Sequence, residues 1–243
     1  MIQPKDFFLT FVKKEQVAND AYSFYFARPK DFDFLPGQYI RMTLDIANPD
    51  ERGKSCFFSI SSSPAEKEYI RITTRIIQST FKKTLLSLTP ETKVKFFGPV
   101  GIFVLRVEET MPKIFLAGGI GITPFLSMVS FASENNITTP ITLFVSFTKV
   151  EEMIYYQMLK DISQKHSNIT IVFTVTHPEE SKQEWHGETG RISEELIKKY
   201  VGDVLQSLFY IAGPPAMVSA MLEIVQSVGV ADQKIRKENF VGY

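Results

Sequence analysis

The stretch Ala117-Gly118-Gly119-Ile120-Gly121-Ile122-Thr123-Pro124 joins an apolar run, Lys113 to Ala117, to a segment of helical spacing, Pro124 to Ser133. Glycines at such a junction let the backbone approach a neighbour or ligand closely, Thr123 can cap the helix, and Pro124 suits its first position. A strand that ends in glycines and turns straight into a helix is a unit of open parallel α/β sheet, where ligands bind beyond the carboxyl ends of strands. Unpaired amides there would face a phosphate. The stretch is not the full dinucleotide fingerprint, since no third glycine follows at the usual spacing, and no lysine makes it a P-loop. Ile114 to Ala132 carries no charge and is nearly long enough to span a bilayer. Gly118, Gly119, Gly121 and Pro124 in its middle would break a spanning helix, so strand, turn and helix are expected instead.

Outward from this stretch the alternation continues. Apolar runs Ile141 to Ser146, Ile169 to Val175 and Leu208 to Ala212 alternate with helical spacing over Glu151 to Lys165, Ser193 to Tyr200 and Ala216 to Val228, while Pro178 to Glu188 reads as a polar loop. Ala212-Gly213-Pro214-Pro215 is a second glycine-marked strand end, and two such ends favour a dinucleotide cleft. Up to about Phe103 the grammar differs: short aromatic and β-branched runs (Ala21 to Phe26, Tyr39 to Leu44, Phe57 to Ser61, Tyr69 to Ile76, Val94 to Phe97) are punctuated by Pro36-Gly37, Ser62-Ser63-Pro64 and Gly98-Pro99. The expected fold is therefore a two-domain one. An N-terminal antiparallel β-barrel over residues 1–107 precedes a C-terminal α/β domain with a parallel sheet over 108–243, with Arg106 to Glu109 as the join. A short helix starting at Ser79 or Thr80 interrupts the barrel, with Phe81, Leu85 and Leu88 spaced to face a core, and its start could receive a phosphate. On spacing alone, Phe58 reads as a core aromatic and Ser79 as a plain cap.

The chain has 243 residues, 27 basic and 27 acidic, so no net field draws it to nucleic acid or an anionic membrane. One cysteine, Cys56, excludes an internal disulfide, and with only His166, His177 and His186 beside it no zinc or iron-sulfur ligand set is present. Any cofactor is expected to be organic or held by oxygen ligands. Phe7 to Val12 is too short, and lacks the basic lead, for a secretory signal, so the expectation is a cytoplasmic protein without a membrane span.

Taken in order, the segments resemble the ferredoxin-NADP reductase family. The resemblance rests on Pro36-Gly37-Gln38-Tyr39, on Phe58-Ser59-Ile60-Ser61-Ser62 where the family has Arg-x-Tyr-Ser, and on Gly98-Pro99-Val100-Gly101. It continues through Gly118-Gly119-Ile120-Gly121-Ile122-Thr123-Pro124 and Gly213-Pro214-Pro215 to Glu238-Asn239-Phe240-Val241-Gly242-Tyr243. It implies a flavin-binding barrel, FAD by family habit with FMN possible, and a domain for NADH or NADPH. It implies that hydride passes from nicotinamide to flavin and that electrons pass on to a separate acceptor, protein or small molecule. By the same resemblance Tyr39, Cys56, Phe57, Phe58, Ser59 and Ile60 line the flavin site, with Phe58 against the ring and Ser59 near its reactive nitrogen. Thr74, Arg75 and Ile76 flank the flavin tail, and Ser79 and Thr80 meet its phosphates. Gly118, Gly119, Gly121, Ile122, Thr123 and Pro124 cradle the nicotinamide nucleotide, and Gly213, Pro214, Pro215 and Met217 close the cleft. Ser59, Thr123 and Glu238 are the implied catalytic positions, Glu238 tuning proton supply. Phe240 is either a cover for the flavin or a packing aromatic.

Two departures stand out. The family's arginine, which would pair with flavin phosphate, falls on Cys56; Arg75, Arg52 or Lys54 is the expected substitute, and an arginine restored at 56 should tighten flavin retention. Ala212 stands where the family often has cysteine. Past Ser146 comes Phe147-Thr148-Lys149, and the arginine that many NADPH users place near here is missing, which leans towards NADH. The competing reading is a non-catalytic nucleotide-binding or sensing module with weakened flavin binding.

Overall fold

In the computed structural model, which describes residues 3–240, the chain forms two six-stranded sheets. The first half contains β1 (Lys5–Ala18), β2 (Ala21–Ala27), β3 (Tyr39–Thr43), β4 (Ser55–Ser59), β5 (Tyr69–Arg75), α1 (Thr80–Leu86) and β6 (Lys93–Val100). These strands pair antiparallel in the order β4-β3-β6-β1-β2-β5, and a bridge between Ile60 and Ile72 joins the two end strands into a barrel. The interior is aromatic: Phe11, Phe24, Phe26 and Phe96 are fully buried, with Phe26 and Phe96 packed edge to face at 5.0 Å. Strand β1 has no counterpart among the expected strands. Its run Lys13-Lys14-Glu15-Gln16 conceals the alternation of Leu9 and Phe11, which point inward while the charged residues face solvent. Phe7 to Val12 lies within it.

The second half contains β7 (Lys113–Gly118), α2 (Thr123–Glu134), β8 (Ile141–Phe147), α3 (Tyr156–Lys165), β9 (Ile169–Val175), β10 (Glu188–Thr189), α4 (Glu194–Tyr200), β11 (Leu208–Gly213), α5 (Pro215–Ser227) and β12 (Ile235–Asn239). All strand pairs in this sheet are parallel, in the order β10-β9-β8-β7-β11-β12. The central strands are mostly apolar and almost entirely buried because helices cover both faces. The β12 strand, Ile-Arg-Lys-Glu-Asn, escaped the sequence reading because it is a charged edge strand. The helix expected over Glu151 to Lys165 is instead a short 3₁₀ turn at Val150–Glu152 followed by α3, with Tyr155 between them at φ +57°. Among the described residues no helix is long and apolar enough to cross a membrane.

The halves meet through specific contacts. Gly37, at φ +102°, turns tightly beneath α2: a Cβ there would lie 2.3 Å from both Met128 Cε and the Phe103 carbonyl oxygen. Phe103 stacks edge to face on Phe125 and Tyr210, in the core of the parallel sheet. On the other side, the Asn19 amide donates to the Glu151 carbonyl at 3.1 Å, and Arg75 pairs with both Asp20 and Glu152, the latter at 3.2 Å. The Tyr155 hydroxyl meets Ser23 Oγ at 2.6 Å, and Ser23, Thr73 and Ser61 continue as a buried chain of hydroxyls at 2.7 and 2.9 Å.

Candidate functional site

A cavity of about 540 Å³ lies where the halves meet, lined on the barrel side by Tyr39, Arg52, Cys56, Phe57 and Phe58 together with Ser59, Ser79 and Lys82, and on the sheet side by Glu238, Asn239 and Phe240. β4 supplies its central wall. Because side chains alternate along a strand, Phe57 is 54% exposed while Phe58 is 3% exposed. Phe58 therefore does not present an open face: its ring lies between Phe81, at 5.9 Å, and the Lys82 ammonium, 4.6 Å from its centroid. The more open aromatic surface comes from Phe57, packed edge to face on Tyr39 at 5.6 Å. Ile60 and Thr74 are fully buried in the barrel, and Ile76 packs against its core.

The start of α1 is already engaged. Ser79 is the N-cap and accepts the Lys82 amide at 3.1 Å, while Thr80 donates its amide to Asp50 Oδ2 at 2.8 Å and accepts the Asp50 amide on its hydroxyl at 2.9 Å. A phosphate is the ligand expected at this helix start, and the Asp50 carboxylate is what meets the Thr80 amide in the structure. Arg75, expected as a substitute for the missing arginine, is held in its ion pairs at the junction, and Arg52 lines the cavity while donating to the Gln78 carbonyl at 3.3 Å. Sequence reasoning missed Lys82. It is 3% exposed, donates to Thr74 Oγ1, and burial pulls its ammonium down to about 8. The available signal was its position on the inward face of α1 beside Phe81 and Leu85.

Across the cavity Glu238 rises from β12, in register with Ala212 of β11. Its Oε2 is buried without a hydrogen-bond partner among the described residues, and burial pushes its carboxyl up to about 7. Phe240 follows, its amide donating to the Gly213 carbonyl at 2.8 Å, and its ring packs against the core of the parallel sheet. Val241, Gly242 and Tyr243 of the terminal motif lie outside the described residues.

The glycine-marked ends of β7 and β11 stand side by side next to this cavity. A Cβ on Gly118 would meet Met217 Sδ at 3.2 Å, and one on Gly213 would meet the same sulfur at 2.9 Å, so Met217 roofs both. Gly121 serves packing: its Cβ would fall 2.3 Å from the Ala212 carbonyl oxygen and 2.6 Å from Gly213 Cα. Thr123 is 2% exposed and donates its hydroxyl to the Ile120 carbonyl at 3.0 Å; it lies inside the turn and does not cap an amide. Ile122 and Pro124 are buried beneath the turn, whereas Pro214 and Pro215 are exposed at the rim. Lys149 pairs with Glu180 at 2.8 Å. The histidines lie away from the cavity, His166 on Ser133, His177 beside Glu179 and His186 beside Glu184.

Residues 115–223 match the sequence model of the oxidoreductase NAD-binding domain family. The chain is 28% identical over 240 residues to a flavohemoprotein of Bacillus subtilis, covering 94% of this chain and 57% of that protein. It is 26% identical to NADH-cytochrome b5 reductase 1 of Aspergillus oryzae, covering 91% and 79%. With the ferredoxin–NAD(P)+ reductase component of the Pseudomonas putida naphthalene 1,2-dioxygenase system, identity is 25%, covering 87% and 62%. The chain thus spans about 60% of the length of several curated relatives that it matches. A ferredoxin NADP+ reductase of Neisseria gonorrhoeae superposes with a TM-score of 0.81 at 19% identity, covering 97% of this chain and 98% of that one. The FAD/NAD-binding domain of a Vibrio cholerae nitric oxide dioxygenase superposes at 0.82 and 17% identity, covering 96% and 98%. With an oxidoreductase NAD-binding domain at 115–223 and a barrel packed before it, the chain is similar in sequence to the reductases named above and shares the fold of ferredoxin NADP+ reductase.

Proposed function

We propose that this chain is an FAD-dependent NAD(P)H oxidoreductase that hands electrons to a separate acceptor. The observation that carries the reading is the cavity of about 540 Å³ at the junction, walled by barrel aromatics and hydroxyls and opening beside the glycine-marked ends of β7 and β11. Its donor set fits a flavin nucleotide: aromatic surface from Tyr39 and Phe57, a hydroxyl from Ser59, cations from Arg52 and Lys82, and a buried carboxyl on the opposite wall. A bound flavin would supply the chemistry, accepting hydride from the nicotinamide and passing electrons onward.

The chain's own residues position the reactants and hold a proton. Gly119, where a Cβ would meet only the Arg75 guanidinium at 3.8 Å, leaves the backbone open to a nucleotide, while Met217 covers Gly118 and Gly213 and would have to move to admit one there. Phe240 and Asn239 border the cavity on the same side. Glu238, titrating at about 7, is poised to hold a proton at neutral pH and to release it into the cavity. Lys149 is already answered by Glu180, with Glu151 and Glu152 close by, which makes this corner a poor seat for a 2'-phosphate and favours NADH. FAD is preferred because the Neisseria relative of the same fold has FAD and NADP bound. The names of the Pseudomonas and Aspergillus relatives specify ferredoxin and cytochrome b5, and a small electron-carrier protein is the acceptor class proposed here.

Purified protein should be yellow, or become so with FAD, should bleach under NADH, and should reduce ferricyanide at the expense of NADH. A colourless preparation that neither takes up FAD nor oxidises NADH or NADPH with ferricyanide present overturns the reading and leaves a nucleotide-sensing module in its place.

A further inference from the structure

We propose that Lys82 has taken over the anion-anchoring position that Cys56 vacates, so that the phosphate of a flavin nucleotide binds against a lysine on α1 instead of an arginine on β4. The inference rests on the flavin reading of the cavity. Lys82 lines that cavity together with Cys56 although only 3% of it is exposed, so its charge is directed inward. Its Nζ lies over the Phe58 ring, two residues along the strand from Cys56, and reaches Thr74 Oγ1 on β5. The ammonium is close enough to Cys56 and Arg52 to interact with both electrostatically.

Two of the other candidates for this task are engaged elsewhere. Arg75 is tied to Asp20 and Glu152, and the Thr80 and Lys82 amides at the start of α1 are taken by Asp50 and Ser79. Arg52 remains as a second cation on the cavity wall. Among the described residues Asp50 lies outside the start of α1 and Glu238 on the opposite wall, so the end formed by Lys82, Cys56 and Arg52 is the more cationic one and suits an anion. Keeping an ammonium this far from water is costly, and the reduction of its pKa to about 8 records that cost. A phosphate oxygen arriving in the cavity would offset it with a charge-assisted hydrogen bond.

The test measures dissociation constants for FAD, FMN and riboflavin by flavin fluorescence in wild type, Lys82→Met, Cys56→Arg and the double variant, with melting curves to show that each is folded. Lys82→Met should weaken FAD and FMN by about ten- to a hundredfold, the worth of one hydrogen bond to a charged group, and change riboflavin by less than about threefold. Cys56→Arg should recover most of that loss in the Lys82→Met background. In the wild-type background the tightening expected of an arginine at 56 should be smaller than in the Lys82→Met background, because Lys82 and Arg52 already supply cations there. Unchanged FAD affinity in Lys82→Met overturns the inference, as does an equal loss for all three flavins, which would mark Lys82 as a packing residue; Lys82→Gln stands in if the methionine variant does not fold. Wild type that binds none of the three overturns the flavin reading and this inference with it, whereas wild type that binds FAD no better than Lys82→Met overturns the inference alone.

Discussion

On the parallel-sheet side the wall of the cleft is backbone: Gly118 and Gly213 at adjacent strand ends, Gly121 wedged against β11, and Met217 above them. On the barrel side it is side chain: Phe57, Cys56, Lys82, Arg52 and Ser59, carried by β4, α1 and the loop between β3 and β4. A backbone wall constrains its sequence tightly where a Cβ would strike backbone, as at Gly121, and less where it would meet only the flexible Met217 side chain, as at Gly118. A side-chain wall needs only a charge or a ring at a given point in space, and several chain positions can deliver it. The same fold therefore keeps its glycines in place on one side while, on the other, Cys56 and Lys82 share out the polar roles differently.

The contrast breaks most visibly at Gly121. Gly121→Val drives a side chain into the backbone of Ala212 and Gly213, and the expected loss is about 3 kcal/mol or more of stability, read as a lowered melting temperature. A variant that melts with the wild type would show that the end of β11 can move aside, and the backbone wall would then be as adaptable as the side-chain one.

Glu238 gives a smaller, pH-dependent effect on the boundary between the walls. The folded protein keeps this carboxyl protonated up to about 7, against an ordinary value of 4.5 in the unfolded chain. Its contribution is therefore complete below about pH 4.5 and is lost as pH rises through about 7, by at most about 3 kcal/mol. Glu238→Gln should remove this dependence and be the more stable protein above pH 7. Chemical denaturation at pH 5 and pH 8 measures the difference, and parallel pH profiles for the two proteins would show that the carboxyl is solvated.

The smallest effect is expected at Lys149. Since Glu180 already pairs with it, Lys149→Ala should change kcat/KM for NADH and for NADPH by less than about twofold each. A selective loss of NADPH use would place the 2'-phosphate there after all.

The division between backbone and side chain also explains what could be read from sequence. The parallel sheet announces itself through uninterrupted apolar strands and the glycines that end them, and β7, β8, β9 and β11 fall within a residue of their expected bounds. Strands β1 and β12 stay hidden because runs of charge, Lys13-Lys14-Glu15 in the first and Arg236-Lys237-Glu238 in the second, mask the alternation, although Arg236 is part-buried against Glu109 and Tyr210. The helix expected over Glu151 to Lys165 has the right apolar spacing, but Tyr155 leaves helical geometry to reach Ser23 on the barrel, a demand made by a residue far away in the chain. At the site, Ser59, Glu238 and Phe240 were found through motif order. Lys82 was not: its one local signal is its place beside Phe81 and Leu85 on the buried face of α1, and that does not say that a cavity rather than core lies beneath it; its neighbour Lys83 is exposed. The roles of Phe57 and Phe58 turn on which way one strand faces, a single register step.

Tyr155 and its hydroxyl relay to Ser23, Thr73 and Ser61, together with the Gly37 turn seated under Met128, fasten the barrel to the sheet at two separate places. A joint bolted twice does not swing like a hinge. The gap between the walls is then a fixed gauge, and the spacing at which two cofactors would meet is machined into the fold before either arrives.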